Sequence, residues 1–194
     1  MTLANRITVL RILMIPLFVL VTLDYVKDFQ KGEAKDWQYC LAFAIFAMAA
    51  VSDALDGYIA RRYHQKTELG TLLDPIADKA LLLSGLVVLS RNHGGAFDQL
   101  PIWFATLVIS REVILVCGSV LIHMLVGKVS ARPRLMGKCA TFFQMVTLAW
   151  VLLKIDSPSF IWPMIVAGVF TFISGLWYIF DGVKQLNVHE AKKA

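Results

Sequence analysis

The sequence predicts an all-α integral membrane protein with six transmembrane helices and an N-terminal juxtamembrane helical segment, organised as a single domain over residues 1–194. Three observations carry this reading. Hydrophobic residues make up 58% of the chain and charged residues only 17%, against roughly 25% charged in soluble domains. Mean hydropathy is +0.66. The apolar residues also fall into runs of spanning length: a membrane helix needs about 20, and candidates lie at roughly 7–23, 37–60, 70–90, 101–126, 138–154 and 159–180. So much apolar surface excludes disorder. Cys40, Cys117 and Cys139 are too few and too scattered for a disulfide-built fold and read as small apolar helix residues.

The first run contains Pro16, which a membrane helix tolerates when neighbours satisfy the freed carbonyl. It lacks a small-residue cleavage site, so it does not read as a cleaved signal peptide. Its start is amphipathic, and Arg11 is expected to snorkel to lipid head groups. The second run opens at Trp37 and closes in Asp53, Asp56, Arg61 and Arg62; the third opens with Gly70, Asp74 and Asp78. The fourth carries Arg111-Glu112 in its interior, and the fifth opens at Lys138. Gly168 and Gly175 in the sixth allow close helix packing. Trp37, Trp103, Trp162, Trp177 and Tyr178 lie toward span ends, as an aromatic belt does. His64, His93, His123 and His189 lack metal-ligand spacing and read as surface or interface residues.

Lys and Arg placement sets the orientation. Arg6, Arg11, Arg61, Arg62, Lys66, Lys128, Arg132, Arg134, Lys138, Lys184, Lys192 and Lys193 fall on one side; Lys27, Lys31, Lys35, Arg91 and Lys154 fall on the other. Both termini and the second and fourth loops are therefore expected in the cytoplasm, a parity that six spans satisfy. The net charge of +5 fits an anionic membrane surface rather than nucleic acid, because the cations sit between apolar runs.

Lys79 and Arg111 remain inside spans, together with Asp53, Asp56, Asp74, Asp78 and Glu112. Ionisable groups at that depth are costly and usually mark a site. Asp53/Asp56 and Asp74/Asp78 are spaced three and four apart, so on helices each pair shares a face. A short loop joins the two runs, bringing four carboxylates toward the cytoplasmic interface. Pairing with Arg61, Arg62 and Lys79 as ordinary helix-end charges is the structural alternative. Four carboxylates at one level instead call for cations, and an all-oxygen set suits Mg²⁺, or Mn²⁺, rather than zinc. Two such ions about 4 Å apart clamp phosphate oxygens during displacement at phosphorus. Gly57 and Gly70 let a ligand approach the backbone, and Arg61 is placed to meet phosphate. An ion path would spread its acidic residues through the bilayer depth; here they share one level.

The pattern Asp53-x2-Asp56-Gly57-x2-Ala60-Arg61-x8-Gly70-x3-Asp74-x3-Asp78 resembles, position for position, the signature of the CDP-alcohol phosphotransferase family. That resemblance implies a membrane enzyme, usually a homodimer, that moves a phosphatidyl or similar group from a CDP-linked lipid to an alcohol and releases CMP. It implies that Asp53, Asp56 and Asp74 hold a metal pair. Asp78 would contact one metal and act as the catalytic base for the acceptor hydroxyl. Asp56, Gly57, Ala60, Arg61 and Gly70 would meet the CDP head group, with Gly57 and Ala60 leaving room for cytidine. In members that use CDP-diacylglycerol, a segment similar to Asn5-x2-Thr8-x2-Arg11-x4-Pro16 closes over the nucleotide, so Asn5 and Thr8 are expected to hydrogen-bond the donor.

The chain looks most similar to the CDP-diacylglycerol branch of bacterial-type cytoplasmic membranes, whose active sites face the cytoplasm and whose acceptors are anionic. Arg111, Arg132, Arg134 and Lys138 are the expected acceptor-binding cations. Arg111-Glu112 with Gly137, Lys138, Thr141 and Gln144 resembles the members that use glycerol 3-phosphate. Ser119 and Ala140 stand where those members tend to carry a second Arg and a second Lys. A small, nearly dianionic acceptor relies on several cations, so these two positions lean toward phosphatidylglycerol. Glycerol 3-phosphate is the expected acceptor and phosphatidylglycerol the alternative.

Overall fold

The structure, a computed structural model, describes the backbone of residues 3–62, 68–126, 135–155 and 160–193. Side chains are described over 9–52, 79–121, 124, 135–155 and 160–183. Regular structure among the described residues is α-helical: α1 (Leu3–Lys31), α2 (Asp36–Arg62), α3 (Glu68–Leu89), α4 (Ile102–Val126), α5 (Leu135–Leu152) and α6 (Ile161–Lys193). Each expected run lies on one of these helices.

Four described stretches are long and apolar enough to cross a membrane: Val9–Lys31, Ile102–Leu121, Leu135–Leu152 and Ile161–Val183. The apolar parts of α2 and α3, Asp36–Ser52 and Lys79–Leu89, are shorter. They end at Ser52 and begin at Lys79, the bounds of the described side chains. The surface agrees with a lipid environment: Trp103, Met124, Trp162, Phe172 and Phe180 are all at least half exposed, the reverse of what water tolerates in quantity. The chain is an integral membrane protein. Trp37, Trp103 and Trp162 are exposed in the first turns of α2, α4 and α6, as the belt reading expects.

The chain divides into two compact units. One comprises residues 1–100 with 148–157, the other 101–147 with 158–194. In the first, α1 packs on both α2 and α3. Phe18, Ala42, Phe46, Leu82, Leu86 and Leu148 are buried there, with the Phe18 and Phe46 rings 5.5 Å apart. Gly85 permits this: a Cβ would stand 3.1 Å from Leu148 Cδ1. No break separates the N-terminal segment from the span, since α1 continues through Pro16. It also runs past residue 23 to Lys31, because Tyr25 and Val26 in the added turns are buried. Arg11 does not snorkel: it is fully buried. His93 is buried as well, its Nε2 2.5 Å from the Val88 carbonyl, so it caps the end of α3 rather than facing the surface. In the second unit α4 packs on α6. There Gly168 admits the Trp103 ring, 3.4 Å from where a Cβ would lie.

Two helix ends show what the chain tolerates. After α1, Gly32 takes φ +76°, donating to Phe29 O at 3.1 Å while Glu33 N donates to Asp28 O at 2.9 Å. After α5, Lys154 takes φ +51° in the same arrangement, bonding Val151 O at 3.1 Å, with Ile155 N to Trp150 O at 3.4 Å. Glycine adopts this left-handed cap freely; a side chain strains it. Lysine is held there by its own ammonium, which donates to the Tyr25 hydroxyl. That ammonium lies 4.7, 5.2, 5.1 and 5.5 Å from the ring centroids of Tyr25, Phe29, Tyr39 and Phe97. A desolvated cation–π contact contributes up to about 2 kcal/mol, against roughly 1 kcal/mol recovered by glycine at such a site. Thermal midpoints should therefore fall in the order wild type, Lys154→Gly, Lys154→Ala. A glycine variant more stable than wild type would show that the rings do not hold the lysine.

Candidate active site

The aspartates are carried by the α2–α3 hairpin within the first unit. Helical backbone runs through Asp53, Asp56, Gly57, Ala60 and Arg61 on α2, and through Gly70, Asp74 and Asp78 on α3. Residues 63–67 connect the helices, a bridge that reaches at most about 20 Å, and α2 packs against α3. Depths along the hairpin match. Asp56 lies six residues before Arg62 and Asp74 six after Glu68, about 9 Å in from each end at 1.5 Å per residue. Asp53 and Asp78 lie nine and ten residues in, about 14 Å. The two pairs thus sit at two matched levels. The side chains of these residues, and those of Asn5 and Thr8 in the first turns of α1, lie outside the described residues. So do Arg132 and Arg134 altogether. Among the described residues no three His, Cys, Asp or Glu groups gather as metal ligands; the four aspartates are not within that set.

In the second unit a polar row crosses otherwise apolar helices. Arg111 Nη1 pairs with Glu112 Oε1. The two side chains are only 11% and 7% exposed, a burial that a charge tolerates only when paired. Arg111 Nη2 donates to Ser174 Oγ of α6 at 3.3 Å, and Gly137 of α5 flanks the guanidinium. One turn on, Thr141 Oγ1 donates to Gly137 O at 3.1 Å. Gln144 Nε2 donates to Thr171 Oγ1 at 2.7 Å, which donates in turn to Ala167 O at 2.6 Å. Lys138, beside Gly137, is exposed. Ser119 donates to Leu115 O at 2.7 Å and lies 3.4 Å from the Tyr178 hydroxyl. Ala140 is fully buried.

Across residues 1–177 the chain matches the family model described as CDP-alcohol phosphatidyltransferase. The chain belongs to that family. It is an enzyme that transfers a phosphatidyl group to an alcohol, and its apolar helices carry that chemistry in a membrane. A relative from Pseudomonas fluorescens, named CDP-diacylglycerol--glycerol-3-phosphate 3-phosphatidyltransferase, is 34% identical over 99% of this chain and all of its own length. A relative of the same name from Escherichia coli (strain K12) is 36% identical over 75% of this chain and 74% of its own. Another from Shigella flexneri serotype 5b is 32% identical over 95% and 93%.

Of this phosphatidyltransferase's polar row, sequence reasoning singled out Arg111, Lys138, Thr141 and Gln144 and passed over Ser174 and Thr171. A signal for both was present: Thr171, Ser174 and Tyr178 recur at i, i+3 and i+7 on apolar α6, one helical face. Gly137, Thr141 and Gln144 recur on α5 at i, i+4 and i+7 in the same way.

Proposed function

We propose that this chain moves the phosphatidyl group of CDP-diacylglycerol to glycerol 3-phosphate, giving phosphatidylglycerophosphate and CMP. The relatives named for that reaction, which span three quarters or more of the chain, carry this reading. The buried Arg111 adds a cation suited to an anionic acceptor. The enzyme works as one functional domain with six spans, its α2 and α3 crossing with their carboxylate ends at the cytoplasmic interface of a bacterial-type inner membrane. CDP-diacylglycerol enters laterally from the leaflet, and the functional form is a homodimer.

The donor set suits a divalent metal. Asp53, Asp56, Asp74 and Asp78 offer only oxygen ligands at matched helical depths, which favours Mg²⁺, or Mn²⁺, over softer ions. Bound there, a pair of such ions would neutralise the pyrophosphate and stabilise the departing CMP. Asn5, Thr8, Asp56, Gly57, Ala60, Arg61 and Gly70 hold the CDP head group. Arg111, Lys138, Arg132 and Arg134 hold the acceptor anion. Asp78 takes the acceptor hydroxyl proton as that oxygen bonds to the β-phosphorus and the bond from phosphorus to the CMP oxygen breaks. The substitution is direct, with no covalent enzyme intermediate.

Phosphatidylglycerol is the second reading. Position 140 is buried and apolar, and Ser119 is spent on a carbonyl and near Tyr178, so neither supplies an added cation. Purified enzyme with Mg²⁺ and CDP-diacylglycerol, offered either acceptor, separates the two. Release of CMP with phosphatidylglycerophosphate is the expected result. Cardiolipin from phosphatidylglycerol, with no product from glycerol 3-phosphate, would replace the first reading with the second.

A further inference from the structure

We propose that Gly137 is a positioning residue for the acceptor, setting where the Arg111 guanidinium stands; the inference rests on the reading of Arg111 as an acceptor-binding cation. Backbone conformation does not call for glycine here. Gly137 lies in α5 and is not among the glycines with positive φ, which among the described residues are Gly32, Gly94 and Gly95. Within a helix, glycine is the weakest former after proline. What the position needs is space. A Cβ at 137 would stand 3.0 Å from Arg111 Nη2 and 3.5 Å from Ser174 Oγ. The guanidinium therefore lies against bare backbone of α5, between Glu112 on Nη1 and Ser174 on Nη2. Gly175 of α6 lies at ordinary contact distance from the Arg111 stem, 3.7 Å from a built Cβ to Cγ.

This arrangement has a specific consequence. The atom that a methyl group at 137 would press is the far end of a long side chain, which yields without disturbing the helices. The fold then tolerates the methyl group, and the guanidinium gives way by a few tenths of an ångström. The bond to Ser174, already 3.3 Å, is the one that yields. The two bonds in place occupy two of the five guanidinium N–H donors, and the rest keep a fixed direction only while the fork is held. A small phosphate monoester is recognised by that planar fork, where direction matters as much as charge. Gly137 and Ser174 thus act on the acceptor through Arg111 without needing to touch it.

The test is steady-state kinetics on the full-length enzyme with Gly137→Ala, Arg111→Lys and both together, varying glycerol 3-phosphate and CDP-diacylglycerol separately and recording thermal midpoints. Gly137→Ala is expected to raise the acceptor KM about tenfold, since a displacement near 1 Å costs about 100-fold in well-aligned sites. Donor KM should stay at its wild-type value and the thermal midpoint should not fall, since alanine is the better helix former. Arg111→Lys, which discards the fork, should raise the acceptor KM further, and adding Gly137→Ala to it should change nothing more. Ser174→Ala should raise the same KM by a smaller factor. An unchanged acceptor KM in Gly137→Ala, beside a raised one in Arg111→Lys, would overturn the positioning role alone. Equal rises in both KM values with a lowered midpoint would mean a merely structural glycine. Unchanged acceptor KM in both single variants would remove Arg111 from the acceptor site and the inference with it.

Discussion

Asp78→Asn is expected to lower turnover by about 10²–10⁴-fold, the usual contribution of a general base, while KM for CDP-diacylglycerol moves little. The asparagine amide keeps the size of the carboxyl and an oxygen that can meet a cation, yet cannot accept the acceptor's proton at neutral pH. Asp78 sits ten residues into α3, at the deeper of the two levels defined by the hairpin. Asp74, one turn nearer the helix start, would in the proposed site still serve the metal pair. Turnover would be followed as CMP released under saturating acceptor, and donor affinity as KM at fixed Mg²⁺. Wild-type turnover in Asp78→Asn would remove it as the base and leave deprotonation to another group. A donor KM raised in proportion to the lost turnover would make Asp78 chiefly a ligand.

The second large effect concerns the buried pair on α4. Arg111→Met should destabilise the protein by about 3 kcal/mol, because the Glu112 carboxylate would stay buried without the guanidinium. It should also raise the glycerol 3-phosphate KM by about 10–100-fold, the range of a lost charge-assisted bond. The two losses separate in the double variant Arg111→Met/Glu112→Gln. Removing both charges should restore most of the thermal midpoint, as a buried ion pair is often replaced at little net cost. Acceptor KM should stay high, since no cation has returned. Recovery of acceptor KM together with stability would show that Arg111 matters only for the fold. An unchanged midpoint in Arg111→Met would show that the pair contributes no stability at this depth.

The readability of the chain differs from feature to feature for a physical reason. Composition and run length place the six helices, because a lipid-facing helix must be apolar over its whole length and satisfy its own backbone. Their ends are read less well. The reading of the first run stops near 23 because Asp24, Lys27 and Asp28 look like a loop, whereas burial of Tyr25 and Val26 extends α1 to Lys31. The carboxylate signature is legible as a pattern, since it consists of given residue types at given spacing on two helices joined by a short connection. The count of spans is less so: among the described residues four helices carry a stretch of spanning length.

The sequence by itself determined the class, the helices, the family signature and the carboxylates, all of which are read from overall composition or from residues within one short stretch of chain. Only the tertiary structure decided that Arg11 and His93 are buried, that Lys154 occupies a left-handed cap within four rings, and that Gly137 makes room for Arg111 beside Ser174. Those facts join residues far apart in the chain: 63 positions separate Arg111 from Ser174, and 129 separate Lys154 from Tyr25. Helical periodicity reports which face a residue shares, but which helix packs against that face is set by how the apolar surfaces fill space together.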